Sequence, residues 1–140
     1  MMITLYNETE ADASRLFEIL TTTEGQRAFW TQDCDVSPEH ARFGFAAAPV
    51  DLEVDVTAEP AKLVRMHCTS GFPYWTGSTW EWELSGSAVL FRHYGFGEGF
   101  PEADLGRVTQ GWAMIHDRLV RYANTGTPQP YFTAEVPHAS

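Results

Sequence analysis

The run RHYGFGEGF, Arg92 to Phe100, sets an imidazole beside three closely spaced glycines, and that pairing admits two kinds of chemistry. A dinucleotide cradle needs G-x-G-x-x-G between a parallel strand and its helix, so that backbone N–H groups and the helix N-terminus face pyrophosphate. Gly95 and Gly97 fit the first two places, but Phe100 stands in the third, and Glu98, Glu102 and Asp104 would repel phosphate. The glycines suit instead a sharp turn and close packing before a helix. A loop gating a pocket is the functional version of the same feature. His93, on the buried face, reads as a core histidine bonded to a carbonyl, Tyr or Trp, as the polar anchor of an apolar cavity, or as a catalytic base, for which no second conventional partner is visible on the same face.

Other chemistry-bearing groups are less pointed. Glu81, Glu83, Asp51, Glu53 and Asp55 could serve acid–base work or a divalent ion, but alternation puts them on an exposed face with Arg and His between them, as a solvated charge lattice. DCDVS, Asp33 to Ser37, offers two acids and one thiol in a loop, a weak ligand set. The five histidines have no HExxH or CxxC companion, so no metal and no cofactor is expected. No G-x-S-x-G elbow is present, and no catalytic residue is assigned. Trp80, Trp82, Trp112, Phe91 and Met66 make an aromatic group that is either plain core or a wall for flat apolar guests.

These residues must be positioned by a small set of elements. ITLYNETE reads as a first strand. ADASRLFEILT places Ala13, Leu16, Phe17 and Leu20 on one helical face, and TEGQRAFW makes a shorter helix. From Asp33 the period changes to two: RFGF, DLEVDVTAE, KLVRMHCTS, STWEWELS and SAVLFRHYGF alternate apolar and polar residues, within about six antiparallel strands joined by Gly-, Pro- and Ser-containing hairpin loops. The Arg65/His67 strand then lies beside the Glu81/Glu83 strand, with Arg92 on its other side and Asp51, Glu53 and Asp55 neighbouring Arg65. Leu105, Val108, Trp112, Ile115, Leu119 and Tyr122 define a long helix with Asp104 as N-cap and Gly126 as its stop. The Pro-rich tail from Thr127 to Ser140 is expected to be extended and loosely held. A helix laid across a curved sheet gives a two-layer α+β domain over residues 1–126, with leftover volume for a pocket.

At 140 residues the chain is one ordinary domain with a sizeable core. Nine basic against nineteen acidic residues give a net charge of −10, which argues against nucleic acid and anionic membrane surfaces as partners. No apolar run reaches bilayer length and the N-terminus carries no export pattern, so a cytoplasmic setting is expected, with Cys34 and Cys68 as free buried thiols. A homodimer is left open.

ASRLFEILTTTEGQRAFW, STWEWELS, FRHYGF and QGWAMIHDRLVRYANTG together resemble the START-like SRPBCC superfamily. Within it they resemble the branch named for the activator of the ninety-kilodalton heat-shock-protein ATPase, in its short single-domain bacterial form. The likeness runs from Ile3 to Gly126. It implies a helix-grip (START/Bet v-like) fold, a seven-stranded sheet wrapped around the C-terminal helix, in a superfamily whose members bind lipids, hormones, polyketides and other apolar molecules. The expected function is binding of a small apolar or aromatic molecule, with Val64, Met66, Trp80, Trp82, Phe91, His93, Trp112 and Ile115 at the pocket and His93 as its polar anchor. A cyclase- or hydrolase-type enzyme in that cavity and a chaperone-linked interaction module are the alternatives.

Overall fold

The computed structural model describes residues 1–133. Strand β1 (Met2–Glu8) leads through helices α1 (Ala13–Thr21) and α2 (Thr23–Phe29) into a meander of β2 (Cys34–Val36), β3 (His40–Phe43), β4 (Leu52–Glu59), β5 (Leu63–Ser70), β6 (Thr79–Ser85) and β7 (Ala88–Tyr94), then α3 (Glu102–Thr125). The seven strands form one antiparallel sheet in the order β1-β7-β6-β5-β4-β3-β2. This is the α+β helix-grip architecture expected from the chain. The sheet presents Val54, Val64, Met66, Cys68, Trp80, Trp82, Val89 and Phe91 to the core, all fully buried. Helix α3 answers with Trp112, Ile115, His116, Leu119 and Tyr122, so the two layers bury one continuous apolar interior.

Local chemistry explains the helix boundaries. Asp12 Oδ1 accepts from the Arg15 amide (2.8 Å) at the start of α1, and Thr22 Oγ1 accepts from Gly25 N (3.1 Å) at the start of α2. Gly25 lets the two helices meet: a Cβ there would lie 1.9 Å from the Ile19 carbonyl oxygen, which is backbone and cannot swing aside. Gly25→Ala should therefore cost about 1–3 kcal/mol in a urea titration despite the better helix propensity of alanine. Wild-type stability in that variant would mean that the α1–α2 junction opens freely.

Several expectations are corrected. DCDVS is not a loop: its middle residues Cys34–Val36 form edge strand β2, with Cys34 buried and Asp35 exposed, paired along β3 through Cys34–Phe43, Asp35–Arg42 and Val36–Ala41. Asp104 does not cap α3. The helix begins at Glu102 after Pro101, whose fixed φ suits a helix entry, and Asp104 sits in the first turn paired with Arg107. The tail is not loose as far as it is described. Gln129 N donates to Ala28 O (2.8 Å), Phe132 N to Trp30 O (2.8 Å) and Gln32 N to Phe132 O (3.0 Å), while the Arg118 guanidinium covers the Tyr131 ring. The rest of the tail expectation falls on residues 134–140, outside the described residues.

On the outer face, Arg65 is opposite Glu81 and Arg92 is opposite Glu81, as expected from the alternation. The acidic strand β4 is paired differently. Asp55 faces His67 and Thr57 faces Arg65, while Asp51, with Asp33 and Asp35, is gathered by Arg42 of β3. Glu81 is also not the solvated carboxylate expected. It is 6% exposed and receives Arg65, Arg92 and the Tyr94 hydroxyl at 3.0, 3.0 and 2.7 Å. Burial alone would push its carboxyl up, but Tyr94, Arg65 and Arg92 outweigh that and hold it below the usual carboxylate range. Those contacts satisfy a structural anion.

Candidate binding cavity

The glycine loop meets the fold at one end of the sheet. Gly95 and Gly99 adopt φ of +81° and +82°, which side-chain-bearing residues avoid, so the chain can turn from β7 into α3. Gly97 has another reason: a Cβ there would press on Tyr74 Cα at 3.2 Å, and its amide donates to Tyr74 O (2.8 Å). The loop thus buttresses the β5–β6 connection at Tyr74, itself held at φ +71°, one residue before Trp75. Phe96 stacks on Phe100 at 4.6 Å and packs on His93 at 4.2 Å. No phosphate cradle is formed, and no residue of 95–100 lines the cavity described next, so the pocket-gate reading of this loop is not supported by its position.

A cavity of about 600 Å³ opens between α3, the segment after β3, the β5–β6 connection and the docked tail. Trp30, at the C-cap of α2, forms its floor against Trp112 of α3 (ring centroids 5.0 Å) and Phe45 (5.9 Å). Phe45 meets Phe72 at 5.5 Å and Phe132 at 5.0 Å, and Phe72 meets Trp75 at 5.4 Å. Trp75 lies near-parallel to Trp112 at 6.3 Å. Val108, Gly111 and Ile115 complete the helix side, and Ala46 to Ala48 leave one wall thin. Arg107 is the single charged residue on the lining; no carboxylate or histidine of the described residues belongs to it.

Of the residues expected at the pocket, Trp112 and Ile115 stand on its wall. Val64, Met66, Trp80, Trp82, Phe91 and His93 are fully buried and are not among the lining residues. His93 lies behind Trp75 and Trp112, with ring centroids 4.8 and 5.9 Å away. Trp112 Nε1 donates to His93 Nδ1 (3.1 Å), so the imidazole proton is on Nε2, which donates to Ser78 Oγ (2.9 Å). His116 repeats the device. Its Nε2 accepts from Trp82 Nε1 (2.9 Å) and its Nδ1–H donates to the Trp112 carbonyl (2.7 Å). Burial pushes the His93 imidazole down to about 3 and His116 to about 4, so both are neutral. With both nitrogens engaged and no opening toward the cavity, His93 is a strut of the aromatic wall in this arrangement and has no reach to a guest.

Burial likewise pushes the Cys34 thiol up to about 11 and raises Cys68, which with their depth makes both poor nucleophiles. No group of His, Cys, Asp and Glu that could hold a metal ion occurs among the described residues. Among the described residues, Trp80 Nε1 and Gln26 Oε1 are the buried side-chain polar atoms without a hydrogen bond, and Trp80 meets Trp30 edge to face at 89°.

Sequence reasoning did not place Trp30, Phe45, Phe72, Trp75, Tyr131 and Phe132 at the pocket: Trp30 and Phe45 end segments read as a helix and a strand, and the other four lie in a connection and the tail. A signal existed nonetheless: large aromatics inside SGFPYWTGS and RFGFAAAP, segments otherwise fit for solvent, must pack on something.

No family model matches the chain, and no curated protein matches it in sequence. Solved structures do match in fold. The Aha1 dimer from Colwellia psychrerythraea is 21% identical with a TM-score of 0.77, the match covering 90% of this chain and 98% of that one. DynU16, of the dynemicin biosynthetic locus, is 17% identical with a TM-score of 0.74, covering 99% of this chain and 55% of that one. CalU16 from Micromonospora echinospora is 18% identical with a TM-score of 0.66, covering 89% and 77%. The likeness establishes the helix-grip fold, a seven-stranded antiparallel sheet around a long C-terminal helix. No helix of the described residues is long and apolar enough to cross a membrane.

Proposed function

We propose that this protein binds a small, flat, apolar or aromatic molecule between Trp30, Phe45, Phe72, Trp75 and Trp112. The observation that carries the reading is the cavity itself: about 600 Å³ of space walled by aromatic rings, within the range of small-molecule sites. Gly111 supports it. A Cβ at this position would meet nothing within 4 Å, so the glycine is not there for close packing. It costs α3 about 1 kcal/mol relative to alanine and leaves the cavity wall bare. Guests would be held by ring stacking and edge contacts. The upstream residues Val64, Met66, Trp80, Trp82, Phe91 and His93 would act from behind, by fixing the rings that touch the guest.

The enzyme alternative gains no support from His93, which is occupied on both nitrogens. A chaperone-linked role rests on the likeness to Aha1 alone. That similar protein is a dimer, and light scattering of this chain tests whether the likeness extends to assembly. A cytoplasmic setting suits the two free buried thiols.

The test is a thermal-shift screen of fatty acids, flat aromatics such as N-phenyl-1-naphthylamine, polyketide-like compounds and nucleotides. A ligand at about 100 times its dissociation constant stabilises by ~2.7 kcal/mol, or roughly 5–10 °C here. Shifts confined to apolar and aromatic compounds are the expected result. A panel with no shift at all, or shifts from nucleotides only, would remove the proposal.

A further inference from the structure

We infer that the cavity's ligand carries a negative charge at one end, and that Arg107 receives it at the rim. The inference rests on the cavity being a binding site. The lining is apolar and aromatic apart from a few polar groups, and its one charged member is Arg107, in the second turn of α3. The chain carries a net charge of −10, so a cation at the opening is set against the general charge of the molecule. It is also the cation of α3 most free to act. Arg118 lies over the Tyr131 ring and donates to Gln129 O, holding the tail, and Arg121 pairs with Asp117 one turn away. Arg107 is paired with Asp104, but its side chain is 76% exposed, and an ion pair so open to water contributes little. A ligand carboxylate or sulfonate can take the place of Asp104 without leaving a buried charge behind.

The guanidinium also fits such a ligand chemically. Its planar fork accepts a carboxylate in two parallel hydrogen bonds, while its stem lies along apolar surface. The body of the ligand would rest among Trp30, Phe45, Phe72, Trp75 and Trp112, which supply area and stacking. The charge at the rim then fixes which end enters. Fully apolar guests would bind without that orientation.

The experiment compares two fluorescent probes that differ by one group: 8-anilino-1-naphthalenesulfonate and its neutral counterpart N-phenyl-1-naphthylamine. Each is titrated into wild type and into R107Q, an exposed position where the fold is retained, with thermal melts to verify it. The expected result is a loss of about three- to tenfold in affinity for the sulfonate in R107Q, with the neutral probe unchanged. If R107Q weakens both probes alike, or neither, Arg107 does not select anions and the inference is overturned while the cavity reading stands. If neither probe binds wild type, the cavity reading falls and this inference falls with it.

Discussion

Lowering the pH from 7 to 5 is expected to cost this protein about 3–4 kcal/mol of folding stability. His93 and His116 are fully buried, and each accepts a hydrogen bond from a tryptophan indole on a nitrogen that protonation would occupy. Burial lowers them from 6.5 to about 3 and about 4 in the folded state. Below pH 6.5 the unfolded chain therefore binds two protons that the folded chain refuses. Stability rises with pH wherever the unfolded state holds more protons, so it is fully present above 6.5 and is lost as pH falls toward the folded values. At roughly 1.4 kcal/mol per pH unit for each histidine, the loss is a large share of a typical domain's 5–15 kcal/mol. Glu81, held below its ordinary value, adds its own loss only under more acid conditions, as its carboxylate is protonated. Urea titrations across pH 5–7 read the slope directly. It should approach two protons in wild type and about one in His93→Gln. A flat stability profile over that window would mean that water or a rearranged partner reaches these imidazoles.

Truncating Trp112 is expected to be the most damaging single substitution. Its ring packs on Trp30 at 5.0 Å and Phe91 at 4.6 Å, and its indole N–H supplies His93. It therefore ties the end of α2, the sheet and His93 of β7 to α3, while one face borders the cavity. Trp112→Ala should cost about 3–5 kcal/mol, from lost burial and the added void. Trp112→Phe separates the packing from the hydrogen bond. It retains most of the ring but leaves His93 Nδ1 without its donor, at about 1–3 kcal/mol. Urea midpoints for the two variants decide the split. A Phe variant as stable as wild type would show that the indole hydrogen bond adds nothing to the packing.

The fold was legible in the chain because period governs it. The alternation of Leu52, Val54 and Val56, of Val64, Met66 and Cys68, and of Trp80, Trp82 and Leu84 fixes which face of each strand is buried, and all nine are buried. The spacing of Trp112, Ile115, Leu119 and Tyr122 fixes one face of α3 in the same way. The site was only partly legible. Alternation says that His93 points inward, which is correct, but inward means the core behind Trp75 and not the space in front of it. The cavity is walled by Phe45, Phe72, Trp75, Tyr131 and Phe132, contributed by connections and a tail. Their positions depend on non-local backbone contacts, such as Phe132 N to Trp30 O and Gly97 N to Tyr74 O, that no local pattern encodes. Glu81 was misread for a related reason. Alternation places it on the outer face, yet Arg65, Arg92 and Tyr94 from both neighbouring strands close over it.

The central claim is that the aromatic-walled space beside Gly111 is a binding site. Its most direct test is a titration of N-phenyl-1-naphthylamine, followed by its fluorescence, into wild type, Gly111→Ala and Gly111→Phe. The open surroundings of Gly111 allow either side chain to be added without a clash at Cβ. Alanine should raise helix stability by about 0.5–1 kcal/mol and leave binding close to wild type. Phenylalanine should fill the cavity and weaken binding at least about tenfold while the melting temperature is kept. Binding to Gly111→Phe as tight as to wild type would contradict the claim, since the probe would then be held elsewhere on the molecule.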